Sequence, residues 1–321
     1  MELPTLWFGL IAFFWTTYFV LEGFDFGVGV LARLLGRDEK ERGTLLSTIG
    51  PFWDGNEVWL VVAGGAMFAA FPGWYASLTS TYYLPLVLIL VALIVRGVAL
   101  EFRGKRDDAR WRRRCDLAVA VGSAIPPLAW GIALSGAARG LPLDDRGEYA
   151  GGFGELLHPY ALLGGIALLA LCLLHGAVFL RLRTTGELRA RAGRMVRLLG
   201  APTAVLGAGF LVWTGVQDRS AGLIGLVAAA GLAVGLLVRR DGWAFVGSTL
   251  AVGLTVVAIF VSAFPALIPS TLDRAYDLTV TGAASPAYGL RILTWAAACF
   301  VPLVLAYQGW SYWVFRKRVV G

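Results

Sequence analysis

The chain has 321 residues, of which 58% are hydrophobic and 15% charged, with a mean hydropathy of +0.70. Soluble domains carry about 25% charged residues, so this composition excludes an ordinary soluble protein and points to an integral membrane protein. The net charge of +7 does not indicate nucleic-acid binding, because the basic residues fall in short clusters between apolar runs, the arrangement that sets membrane topology.

A span needs about 20 apolar residues. Nine stretches qualify, at roughly 5–32, 51–71, 76–102, 115–138, 157–181, 196–215, 220–238, 242–264 and 288–315. The expectation is an all-α integral membrane protein of nine transmembrane helices in one transmembrane domain over 1–321. Met1-Glu2-Leu3-Pro4 lacks the basic stretch of a leader peptide, and the run that follows ends in Gly-rich, acidic sequence. That run is therefore read as the first span. Counting Lys and Arg by connection, 22 fall on one side and five on the other, with Arg96 inside the third span. The basic side is cytoplasmic by the positive-inside rule, which puts the N-terminus outside and the C-terminus in the cytoplasm.

The connections differ in character. Gly36 to Gly50 mixes Leu45, Leu46 and Ile49 with charges and reads as a short helix in the interface. Phe71-Pro72-Gly73-Trp74-Tyr75 reads as a tight turn. Leu141 to Glu155 is rich in Gly and Asp and reads as irregular, and Pro265 to Pro286 is the longest external connection. Gly23 and Gly27 have the four-residue spacing that lets two helices touch, and Gly64 and Gly65 offer the same.

The polar residues inside spans carry the functional argument, since charge in lipid is costly and normally has a reason. Glu22 and Asp25 lie near the cytoplasmic end of the first span, about 24 and 28 Å of helix from Leu6. Asp54 and Glu57 open the second span. Each pair is three residues apart and shares a helix face. Arg96 lies about 31 Å of helix beyond Tyr75, in the same layer, and is the natural partner for one or two of these acids. Three readings compete. Asp54 and Glu57 complement a helix N-terminus; the acids form a structural ion pair with Arg96; or they conduct protons, as Asp, Glu and His chains do in membranes.

Cys115, Cys172 and Cys299 are scattered and read as small apolar fillers. His158 and His175 are the only histidines, about 25 Å of helix apart, so they do not share a metal. The chain carries few means of holding a redox cofactor, and no metal or haem ligand is assigned to it.

The blocks Gly23-Phe24-Asp25-Phe26-Gly27-Val28-Gly29 and Trp53-Asp54-Gly55-Asn56-Glu57-Val58-Trp59-Leu60 resemble subunit II of cytochrome bd-type quinol oxidases. Gly64 to Pro72, Arg96 with Glu101-Phe102-Arg103, Trp111-Arg112, Phe264-Pro265 and Trp243-Ala244-Phe245 match as well, so the resemblance covers nearly the whole chain. It implies two four-helix bundles plus one peripheral helix. It also implies a heterodimer with subunit I, which would ligate two haems b and one haem d and hold the quinol and oxygen sites, so that no catalytic residue lies in this chain. Quinol, oxygen, the lipid bilayer and small single-helix subunits are the further partners implied, with residence in a bacterial plasma membrane. By the resemblance, Asp54 and Trp59 belong to a proton channel from the cytoplasm, with Asp25, Glu22 and Glu57 as further proton-transfer candidates and Arg96 as their charge partner. Glu57 is the weaker candidate, because the family alternates Gln and Glu there. Some members hold a structural quinone in this subunit; this chain is short around spans six and seven, which weighs against one. The reading from another class is a secondary transporter with a carboxylate-lined site, and a purely structural anchor is a third. A transporter calls for acids near the midplane, whereas these gather at one face.

Overall fold

The computed structural model describes residues 2–238 and 240–319. Arg239, one of the 22 basic residues counted above, lies outside the described residues. The order is α1 (Leu3–Leu35), α2 (Glu39–Ser47), α3 (Trp53–Ala70), α4 (Pro72–Thr81), α5 (Tyr83–Phe102), α6 (Ala109–Arg139), α7 (Phe153–Leu156), α8 (Pro159–Arg183), α9 (Gly186–Gln217), α10 (Arg219–Leu237), α11 (Asp241–Ala263) and α12 (Ala287–Val314). A single antiparallel strand pair, β1 (Ala266–Ile268) with β2 (Leu278–Thr279), lies in the long connection before α12.

Eight of these helices are long and apolar enough to cross a membrane, namely α1, α5, α6, α8, α9, α10, α11 and α12. The ninth expected span corresponds to α3, which has 18 residues and opens on Asp54, Asn56 and Glu57. Those three polar side chains lower its apolarity, which is why α3 alone among the expected spans falls outside the set.

Three expectations about local structure are corrected. The stretch expected as a tight turn over Phe71–Tyr75 is instead a one-residue break followed by a helix. Helix α3 breaks only at Phe71, whose φ/ψ of −140°/71° is not helical, and Pro72 opens α4, where its missing N–H costs nothing. The third span is shorter than 76–102, because a second break at Tyr82 separates α4 from α5; Pro85 removes an N–H donor in the first turn of α5. Arg96 is therefore thirteen residues, about 20 Å of helix, into α5 rather than 31 Å into a longer helix. Helix α2 forms as expected, capped by Asp38 accepting from the Glu41 N–H at 2.8 Å. Its apolar residues Leu45 and Leu46, with Ile49 just beyond, are buried within the protein rather than offered to lipid.

Contacts group α1, α3, α5 and α6 on one side and α8, α9, α10 and α11 on the other, with α1 and α8 packed along the seam. Glycine makes that seam possible. A Cβ on Gly27 would lie 2.1 Å from the Cys172 carbonyl oxygen and 2.8 Å from Gly176 Cα. Gly23 faces Cys172 Sγ. Within this chain, nothing lies within 4 Å of a Cβ on Gly64 or Gly65. Helix α12 packs mainly against α1 and α3, and Leu290 is its one buried residue.

Candidate functional site

The site forms where α1, α3, α5 and α12 meet, near the end of the molecule that carries the arginine-rich α5–α6 connection. Glu22, Asp25, Asn56 and Arg96 are completely buried there. Asp25 lies three residues after Glu22 on α1, so both carboxyls leave the same helix face. Arg96 projects from α5 and donates from Nη1 to Glu22 Oε1. The same Nη1 lies 3.6 Å from Glu57 Oε2 on α3. The guanidinium sits 4.9 Å from the Phe26 ring centroid and 5.9 Å from that of Trp53, so aromatic faces complete its shell. One cation thus serves two carboxylates from two helices.

Asp25 has a different partner. Asn56 Nδ2 donates to Asp25 Oδ2 at 2.6 Å and to the Leu21 carbonyl at 3.2 Å. Asn56 Oδ1 accepts from Gln308 Nε2 and from the Tyr312 hydroxyl, each at 2.8 Å. Gln308 Oε1 in turn accepts from the Trp59 indole N–H at 2.6 Å. Trp59 is buried beside Phe13 and Phe14, and the Tyr312 ring stacks on Phe52 with centroids 4.5 Å apart.

Asp54, the first candidate from sequence, is outside this buried network. It is exposed and lines an open cleft of about 710 Å³ together with Trp53, Asn56, Glu101, Gln308 and Tyr312. The cleft therefore joins the surface at Asp54 to the amide of Asn56. Five of the six sequence candidates, Glu22, Asp25, Glu57, Trp59 and Arg96, are in or bonded to the buried cluster, and Asp54 stands at its mouth.

Several polar atoms of the cluster have no hydrogen-bond partner among the described residues: the Tyr18 hydroxyl, Glu22 Oε2, Asp25 Oδ1, and Arg96 Nε and Nη2. Tyr18 is one helical turn from Glu22 on α1 and completely buried. Sequence reasoning missed Tyr18, Asn56 as a ligand of Asp25, and the α12 pair Gln308 and Tyr312. Gln308 had a legible signal, the one amide in a mostly apolar helix. Gln308, Ser311 and Tyr312 also have the spacing of one helix face.

Both histidines make hydrogen bonds. Both ring nitrogens of His175 are engaged, Nδ1 with Ser248 Oγ at 2.8 Å and Nε2 with the Val20 carbonyl at 3.2 Å, and the ring stacks on Phe245. His158 caps α8, its Nδ1 accepting from the Tyr160 N–H. No group of three or more His, Cys, Asp and Glu with metal-binding geometry occurs among the described residues.

Residues 3–315 match the family model described as cytochrome bd terminal oxidase subunit II. The chain is 42% identical to cytochrome bd ubiquinol oxidase subunit 2 of Bacillus subtilis (strain 168), over 99% of this chain and 97% of that protein. It is 34% identical to cytochrome bd-I ubiquinol oxidase subunit 2 of Escherichia coli (strain K12), over 98% and 94% of the two chains. Its fold matches a chain in the structure of bd oxidase from Geobacillus thermodenitrificans with a TM-score of 0.70 at 17% identity, covering 98% of this chain and 99% of the other.

Proposed function

The chain belongs to the cytochrome bd terminal oxidase subunit II family, and from that premise we propose that it conducts protons from the cytoplasm toward the oxygen-reducing centre of its partner. It is a multi-pass protein of the bacterial inner membrane and a subunit of a quinol oxidase, whose complex contains haem and pairs it with subunit I. The remainder is our reading: nine transmembrane helices, the N-terminus outside, and this chain as the scaffold for subunit I. Subunit I ligates the two haems b and the haem d, which supply electron transfer and oxygen chemistry; the engaged imidazoles of His175 and the capping role of His158 support that division.

The observation that carries the proposal is the cleft running from exposed Asp54 to Asn56, whose amide bonds the buried Asp25 carboxyl. Reducing oxygen to water consumes protons, and a path for them needs groups that can hold and release one inside the membrane. Asp54 collects protons at the mouth. Asp25 and Glu22 receive them within, and Glu57 lies between, half-buried beside Arg96. Arg96, bonded to Glu22 and close to Glu57, supplies the countercharge for the carboxylates beside it. The Trp59 indole is a hydrogen-bond donor that does not ionise near neutral pH, so its part is structural to the path.

The test is Asp54→Asn in the assembled oxidase. Oxygen consumption is expected to fall about tenfold or more, the scale of losing one acid–base group, with haem content unchanged. Turnover that matches the parent at every pH would leave Asp54 a surface residue and defeat the inlet.

A further inference from the structure

The chain Trp59–Gln308–Asn56–Asp25 has a direction. An indole N–H is a donor only, so the group facing it must accept, and Gln308 turns its Oε1 to Trp59 at 2.6 Å. That leaves Gln308 Nε2 facing Asn56, where it donates to Oδ1 at 2.8 Å. Asn56 is then left with its Nδ2 toward Asp25 Oδ2, at 2.6 Å. Tyr312 supports the same choice by donating to Asn56 Oδ1.

Amide orientation is set by the network around it. If Asn56 were reversed, its oxygen would face Asp25 Oδ2 and the Leu21 carbonyl, and its N–H groups would meet the Gln308 amide donor. All the bonding capacity of the Asn56 side chain is used in the observed orientation: two donations and two acceptances. A fully satisfied buried network of this kind holds a single geometry.

We infer that Trp59 is a positioning residue for Asp25: acting through Gln308, it fixes the Asn56 amide with its N–H toward the carboxyl. This rests on the proton-inlet reading, and it assigns Trp59 an orienting part rather than a proton-carrying one. It also gives α12 a task that its sparse packing does not suggest, since the middle link of the chain comes from that helix.

The two-subunit oxidase is prepared with Trp59→Phe, which keeps an aromatic ring against Phe13 and Phe14, with Gln308→Met, and with both. Each single variant is expected to lower kcat for oxygen consumption about tenfold, the scale of losing one hydrogen bond to a charged group, with KM for quinol unchanged. The double variant is expected to lose no more than the worse single one, because both changes break one chain. Infrared difference spectra give a readout that packing does not move. The carboxyl band that disappears in Asp25→Asn is expected at higher wavenumber in Trp59→Phe and in Gln308→Met, as Asp25 loses its donor. Additive losses, or an Asp25 band that is absent or unmoved, overturn the inference. If Gln308→Met fails to assemble, Gln308→Glu serves instead: it keeps the size and the acceptor for Trp59, and its carboxylate has no N–H for Asn56. The same band shift is expected there, and an unmoved band overturns the inference equally. Unchanged turnover in Asp25→Asn would instead remove the inlet reading, while double-variant additivity would still decide the orientation.

Discussion

Removing the Arg96 guanidinium would leave the Glu22 carboxylate buried without a cation, in a layer closed by Phe26 and Trp53. Breaking a buried pair by deleting one partner costs about 3–5 kcal/mol. Arg96→Leu is therefore expected to lower the thermal unfolding temperature of the purified oxidase sharply. Glu22→Gln keeps an acceptor for Arg96 and is expected to cost less. Equal unfolding temperatures for Arg96→Leu and the parent would mean that the pair does not hold the fold. At this scale the sequence was informative about charge and poor at telling acids apart. Asp54 and Asp25 look alike in an apolar run, yet one is exposed at a cleft and the other completely buried. Burial depends on what neighbouring helices cover, and α12 reaches Asn56 from 252 residues away in the chain.

Between elements, contact is decided by where small residues and charges meet. Gly27 and Gly176 bring α1 and α8 to backbone contact, and a side chain at Gly27 would meet backbone atoms that cannot rotate away. Gly27→Ala is expected to reduce the yield of folded protein, whereas Gly64→Ala is expected to leave this chain's folding unchanged; fluorescence-detected size exclusion of both variants reads the difference. The α1–α2 connection is tied to α9 by Arg191, which donates to the Leu35 carbonyl at 2.7 Å and to Glu41 Oε1. The Arg191 hydrogen bond holds the Glu41 carboxyl below its ordinary range. A carboxyl with a lowered folded pKa contributes stability that is full above its unfolded pKa and is lost as pH falls through the folded value. The stability gap between the parent and Glu41→Gln is thus expected to be widest near neutral pH and to close on acidification. A gap that is constant with pH would show that the pair contributes nothing through ionisation. The helices themselves were legible from apolar run length, and most ends agree with expectation within a few residues. The α4–α5 break was not, because Pro85 sits inside an apolar run that reads as continuous.

The molecule as a whole presents apolar side chains on α3, α5 and α12, among them Val61, Phe68, Leu88, Ile94, Trp295 and Phe300, as a protein surrounded by lipid and a partner subunit does. Both ring nitrogens of the buried His175 are held in hydrogen bonds. A reduced-minus-oxidised spectrum of the purified complex is expected to show haem signals that follow a second membrane polypeptide and are missing when this chain is isolated. Haem retained by the isolated chain would contradict the division of labour between the subunits.

By itself the sequence determined that the chain is helical, belongs in a membrane, and carries acids and one arginine within its apolar runs. Those properties follow from local composition and from the periodicity of a helix, which are written residue by residue. Only the tertiary structure decided which acid pairs with Arg96, which one Asn56 holds, and that Trp59 is joined to Asp25 through a glutamine of the last helix. Hydrogen-bond partners distant in the chain are chosen by how helices pack, and packing is a property of surfaces that no single segment contains.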